Sequence, residues 1–254
     1  MPLRAQRGYR AMQEGGANAE VVRARLRVRA WGYWGNGGTR EDSMSSGVVG
    51  LFRFGRSDHI DQFCALGRLF MKPLRHFREL EGDELRGDRD EALCWTYPSD
   101  QVQLQVQLDG SFHTIPGISG PFNYSRDLDQ TVNVFCMYAL QRRDPQCLVD
   151  PRVCSFGDTY ALLLDGDEFL RRVQQTPLPS GQRLECHLVE YVDPGRHTGH
   201  MGPFRKFTRF DYQSEFRIAM FPGTGADFCL DVGELSDIAI TGPSERVNRR
   251  IRIE

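Results

Sequence analysis

Residues 203–218, PFRKFTRFDYQSEFRI, concentrate the side chains best suited to chemistry. Read as one extended strand, FDYQSEFRI puts Phe210, Tyr212, Ser214, Phe216 and Ile218 on one face and Asp211, Gln213, Glu215 and Arg217 on the other. An amide, a carboxylate and a guanidinium in line can form the polar wall of a cleft. A sheet with one solvated face gives the same pattern. Cys186-His187 and His197-x-x-His200 are of types that ligate zinc. However, Cys186 and His187 are neighbours on an expected strand and so face opposite ways, and the HTGH loop has no second cysteine pair, so no metal is expected. A cysteine–histidine nucleophile pair carries no local signature at any of the seven cysteines. Neither G-x-x-x-x-G-K-[ST] nor a helix-opening G-x-G-x-x-G occurs, which removes the common phosphate-cradling loops.

The elements that must position these groups begin near Val48. VVGLFRF reads as a strand, and Ser57 is a plausible cap for a helix over HIDQFCALG that Gly67 stops. RLFMKP reads as a second strand ended by Pro73. Segment 82–92, GDELRGDRDEA, is charged and turn-prone and is expected to be an exposed connection. QVQLQVQLDGSFHTI alternates most cleanly: Val102, Leu104, Val106 and Leu108 point one way, four glutamines point to solvent, and Asp109-Gly110 turns a hairpin. TVNVFCMYAL is apolar enough to be buried on both faces. TYALLLDGDEFLRRVQQ gives strand, turn and helix, with Asp167 and Glu168 complementing the helix dipole. RLECHLVEYV alternates, KFTRFDYQSEFRIAMF runs on as a long extended stretch, and FCLDV and DIAI close the domain. Many strands, two clear helices and no regular β–α alternation indicate an α+β fold: a single domain with a strongly twisted, mostly antiparallel sheet.

A hydrophobic fraction of 40% and a charged fraction of 26% exclude a coiled coil, a collagen-like fibre and a fully disordered chain. Only two of the 32 basic residues, Lys72 and Lys206, are lysine, a bias attributed to coding composition and given no functional weight. Charge is uneven. Residues 1–43 carry eight arginines against four acids, whereas the remainder carries 24 basic against 30 acidic residues. Segment 1–47 is therefore set apart as a basic, Gly-rich arm, disordered or peripheral, or translated ahead of a start at Met44, and residues 48–254 as the domain. Its alternating arginines, with Trp31, Tyr33 and Trp34, would suit nucleic acid, the one route by which nucleic acid is expected as a partner. Scattered cysteines and the lack of a bilayer-length apolar run give an expected cytoplasmic location without a membrane partner.

Residues 50–240 resemble a broad bacterial family of uncharacterised domains, some found near abortive-infection, phage-defence genes. The matching pieces are GLFRFG with its helix, the acidic GDRDEA, FCMYAL, FGDTYALLLDGDEFLRRV, K-x3-F-x-YQSEFRI and a strand near LSDIAI. At the acidic segment the family's turn is Asn-Asp-Pro-like and this chain departs from it, so Asp88, Asp90 and Glu91 receive no role. The same order of parts is similar to ADP-ribosyltransferases of the toxin type. That resemblance implies NAD as substrate, Glu215 stabilising an oxocarbenium-like transition state, Gln213 orienting the acceptor, and Arg53 and Tyr212 holding the cofactor. It requires Arg53 and Glu215 within a ligand's length of each other on one side of the sheet. Two function classes follow: an NAD-dependent effector that modifies a macromolecule in phage defence or as a toxin, and a non-enzymatic sensor or interaction subunit that binds a phage or partner protein.

Overall fold

β-Branched and aromatic residues make the first strand, β1 (Val48–Gly55), of a computed structural model that describes residues 47–80, 87–117, 120–141 and 149–250. Helix α1 (Ser57–Leu66) buries Ile60 and Phe63. It is stopped by Gly67 in the left-handed region, although Arg56, not Ser57, occupies the N-cap. β2 (Arg68–Pro73), α2 (Leu74–Glu79) and β3 (Trp95–Tyr97) follow. Next come the β4 (Gln105–Leu108) and β5 (Ser111–Thr114) hairpin, β6 (Phe122–Tyr124), α3 (Asp127–Gln130) and β7 (Asn133–Gln141). β8 (Thr159–Leu163) leads into α4 (Gly166–Gln175), which Asp165 caps by accepting from the Glu168 amide. The chain ends through β9 (Arg183–Leu188), β10 (Glu190–Val192), β11 (Gly199–His200), β12 (Arg205–Phe207), β13 (Glu215–Phe221), β14 (Phe228–Asp231), β15 (Ala239–Pro243) and α5 (Val247–Arg250).

The main sheet runs β9–β13–β7–β1–β8–β15, every pair antiparallel, with β2 and β14 attached at one end. Together with the few helices this is a single mixed fold of the α+β kind. One parallel pair, β10 with β12, lies apart from the sheet. On one sheet face, α1 and α4 bury Phe63 and Phe169 against Phe135, Met137 and Ile218. On the other, Phe52, Phe54, Tyr160 and Leu162 pack with Phe210 and Tyr212. Burying side chains of this size is worth about 1.5–3 kcal/mol each, so both faces of the central strands are anchored.

One irregularity shapes everything near the site. β1 and β2 share a single edge of β7, but β1 pairs with Tyr138–Gln141 and β2 only with Asn133 and Val134. The two strands therefore diverge and leave a gap beside residues 135–137.

Three expectations are corrected. Gln101–Leu108 does not offer an aliphatic face to the core. Ser99–Gln101 is a short 3₁₀ turn, and β4 and β5 pair only with each other, all eight residues exposed. Residues 208–221 are not one strand. Thr208–Gln213 is 3₁₀ and Ser214 takes a left-handed φ of 39°, so the strand starts at Glu215 and the proposed sharing of faces upstream is lost. GDRDEA is not simply exposed either, because Asp88 and Glu91 are each 2% accessible. The basic arm and its nucleic-acid role lie outside the described residues.

Gly67 tests how tightly α1 is seated. A methyl there would lie 2.1 Å from the Gly233 carbonyl oxygen at a φ of +63°, whereas Gly181 has φ +81° and open space around it. Gly67→Ala is expected to lower the unfolding free energy by about 2–4 kcal/mol and Gly181→Ala by only about 1 kcal/mol, measured by urea denaturation.

Candidate functional site

The divergence of β1 and β2 opens a cleft of about 310 Å³. Its floor is the face of β7 and β13 that carries Cys136, Tyr138, Glu215 and Arg217, and rings of Phe54, Phe70, Phe77 and Phe156 form much of its wall. The lining holds five cations, Arg53, Arg56, Lys72, Lys206 and Arg217, against two carboxylates, Glu91 and Glu215. In a chain with 34 acidic residues and only two lysines, both lysines stand here.

The polar floor is a buried charge network. Arg217 is fixed on β13 opposite Cys136 and is 1% accessible. Its Nη1 and Nη2 each donate to Glu91 at 2.8 Å, its Nε donates to Glu215 Oε2 at 2.6 Å, and Nη1 also reaches the Pro203 carbonyl at 2.7 Å. This fork-on-carboxylate geometry is the stronger kind of ionic hydrogen bond. Lys206, delivered by β12, donates to Gln213 Oε1 at 2.6 Å and Glu215 Oε1 at 3.0 Å, with Glu91 at 3.6 Å and Asp88 at 3.9 Å. Its ammonium also lies 4.5 Å from the Phe210 ring centre. Arg209 closes the network outward, pairing with Asp88 and Asp90.

Gln213 and Glu215 thus meet in the cleft, although not for the expected reason. They converge because the left-handed Ser214 turns the chain between a 3₁₀ segment and the strand. That turn is pinned by Ser214 Oγ donating to the Ala139 carbonyl at 2.7 Å and by the Glu215 amide donating to the Tyr191 hydroxyl at 2.9 Å.

Arg53 does not meet the requirement set for it. Phe52 and Glu215 both pair with Tyr138 and share its face, so Arg53 projects to the opposite one. Its guanidinium lies 4.7 Å from the Phe135 ring centre and fills the gap between β1 and β2, where Nη1 donates to the Cys136 carbonyl at 2.8 Å. From there it borders both this cleft and a smaller one of about 270 Å³ beside α1. Tyr212 is corrected too. It does not line the cleft; its ring packs in the second core cluster under Arg152, and its hydroxyl accepts from Gln213 Nε2 at 3.4 Å.

Arg217 joins Glu215 in the cleft, as the polar wall read from FDYQSEFRI expects, whereas Lys206, Glu91 and Asp88 carry no site role in that reading. The signal was present in the lysine count, because a compact ammonium that meets several acceptors is not interchangeable with a planar guanidinium. Of the earlier metal candidates, Cys186 packs toward the helical core and His187 toward Phe204 on the other face. Among the described residues no group of three or more His, Cys, Asp or Glu is placed to hold a metal ion, and no helix is long and apolar enough to cross a membrane. Comparison with protein-family models, curated proteins and solved structures finds no match for this chain.

Two carboxylates of the network titrate in opposite directions. Burial raises Glu215, but Arg217 and Lys206 outweigh it and bring the group down to about 2. Burial, then the Glu91 charge, push Asp88 up to about 6 against the pull of Lys206. Burial also lifts the Cys136 thiol to about 12, which removes it as a thiolate nucleophile at neutral pH.

By linkage, Glu215 contributes stability above its ordinary value of 4.5 that is lost as pH falls toward 2. Asp88 has its full effect below 3.8, and that contribution is lost as pH rises through 6. Asp88→Asn is therefore expected to flatten the decline in stability between pH 4 and 7, seen as a melting temperature that changes less with pH than in the wild type. Lys206→Met leaves buried carboxylates under-compensated and is expected to cost about 3–5 kcal/mol in denaturant unfolding at neutral pH.

Proposed function

We propose that the cleft binds a nucleotide with a flat ring, and that NAD is its substrate in ADP-ribosyl transfer to a macromolecule, a reading supported by the cleft and not by the toxin-type placement of Arg53, which lies on the sheet face opposite Glu215. The observation that carries this reading is the pairing of an aromatic-walled, cation-rich cleft with one carboxylate, Glu215, held ionised on its floor. The aromatic wall suits a planar base or a nicotinamide ring. Lys72 and Arg56, the lining cations outside the buried network and each in a solvent-accessible ion pair, suit the phosphates of an anion. Heterolysis of the nicotinamide–ribose bond sends the bonding pair to nicotinamide, which leaves neutral, and leaves positive charge on the ribose carbon and ring oxygen. Glu215, whose two oxygens accept from Lys206 and Arg217, turns its remaining lone pairs to that charge, and an acceptor nucleophile then attacks the carbon and loses its proton.

The geometry changes the roles first assigned. Gln213 Oε1 is engaged by Lys206, so Gln213 acts by keeping that ammonium beside Glu215. Arg53 reaches a ligand only through the gap, which leaves Lys72, at the cleft's rim and paired with Asp227 at 2.6 Å, as the more direct cationic contact. The defence or toxin setting is part of this proposal and rests on the family resemblance alone.

A second reading, a non-enzymatic interaction subunit, is favoured by a different observation. Seven of the nine exposed large hydrophobic residues described lie within 95–124, away from the cleft lining.

Incubating the full chain with NAD and following nicotinamide release discriminates the two. The transferase reading expects release that falls about 10²-fold or more in Glu215→Gln, with a folded circular dichroism spectrum retained. It also expects Lys72→Ala to raise KM more than it lowers kcat. Absence of both NAD binding and nicotinamide release, with or without protein acceptors, overturns it in favour of the interaction module.

A further inference from the structure

The β4–β5 hairpin has a composition and placement that the cleft does not use. It is a two-stranded sheet of its own, linked by a turn in which Asp109 and Gly110 both take positive φ, 50° and 80°. Such turns match the twist of the flanking strands. An isolated two-stranded hairpin is only marginally stable in water, and this one lacks the usual edge defences. Residues 101–108 read QVQLQVQL, with no charge, proline or glycine.

The register shows which groups the edge presents. The Ile115 amide donates to the Leu104 carbonyl at 2.9 Å, and Val106 and Leu108 pair with His113 and Ser111. Main-chain groups alternate sides along a strand, so those of Gln103, Gln105 and Gln107 point to the open edge of β4. The same register places Leu104, Val106, Leu108 and Ile115 on one face. Val106 is 39%, Leu108 54% and Ile115 46% accessible.

We propose that this edge pairs antiparallel with the same edge of a second copy of the chain, giving a four-stranded sheet about a twofold axis. The sequence is complementary to itself in that arrangement. With Gln105 opposite Gln105, Gln103 meets Gln107, Leu104 meets Val106, and Val102 meets Leu108. Every aliphatic residue thus finds an aliphatic neighbour, and no charge opposes its own copy. A charged or irregular partner edge would forfeit that match, which is why a second copy is the occupant. The edge main-chain groups gain hydrogen-bond partners, and the aliphatic stripe gains cross-strand contacts about 4.5–5.5 Å away.

Sedimentation of the full chain at micromolar concentration tests the proposal. The wild type is expected at twice the 29.0 kDa chain mass. Gln105→Pro removes an outward N–H without touching the β4–β5 ladder, and Val106→Lys with Leu108→Lys sets like charges across the axis. Both variants are expected to sediment as folded monomers, with dissociation constants raised at least about 100-fold. A monomeric wild type overturns the proposal, as does a dimer that both variants leave intact.

Discussion

A buried guanidinium must have its donors satisfied, and Arg217 imposes that demand at the centre of this fold. Meeting it brings Glu91 in from a charged loop far away in sequence, holds Glu215 at the first position of its strand, and draws in the Pro203 carbonyl. The loop, the strand start and the segment leading to β12 are therefore fixed by one side chain. Lys206 then enters a space already lined with acids, and its single charge serves several of them. The floor of the cleft is rigid because each partner is committed more than once.

This arrangement separates two uses of charge. The outward pairs, such as Arg68 with Asp231 and Arg56 with Asp58, lie in water and contribute little to stability. The inner network is costly to desolvate and cannot lose one member cheaply, so it defines a geometry more than it adds stability. An ionised carboxylate facing aromatic walls is the outcome, a combination that a purely apolar core of equal volume would not supply.

Much of the fold is legible in the sequence where period and punctuation agree. Gly67 ends α1, Asp109-Gly110 turns a hairpin, and FCMYAL lies centrally in the sheet, because these signals depend on local backbone chemistry and on apolar runs. Gln213 and Glu215 are legible as neighbours in a site, but their shared face is not. Period-two reasoning assumes unbroken extension, and nothing in DYQSE announces that Ser214 turns left-handed; the contacts with Ala139 and Tyr191 that hold it there are long-range. The burial of Asp88 and Glu91 is hidden for the same reason, since a charged segment looks solvated until the residues that neutralise it, Lys206 and Arg217, are located in space. The parity of Arg53 is a matter of register between β1 and β7, and a single sequence does not carry register.

The divergence of β1 and β2 has a consequence for traffic through the molecule. A continuous sheet is an impermeable partition, its hydrogen-bonded strands leaving no passage from one layer to the other. Here the partition is interrupted, and the interruption is occupied by one guanidinium resting on the Cys136 carbonyl and the Phe135 ring. Arg53 lines the hollow on each side, so what separates the two there is a side chain and not hydrogen-bonded backbone.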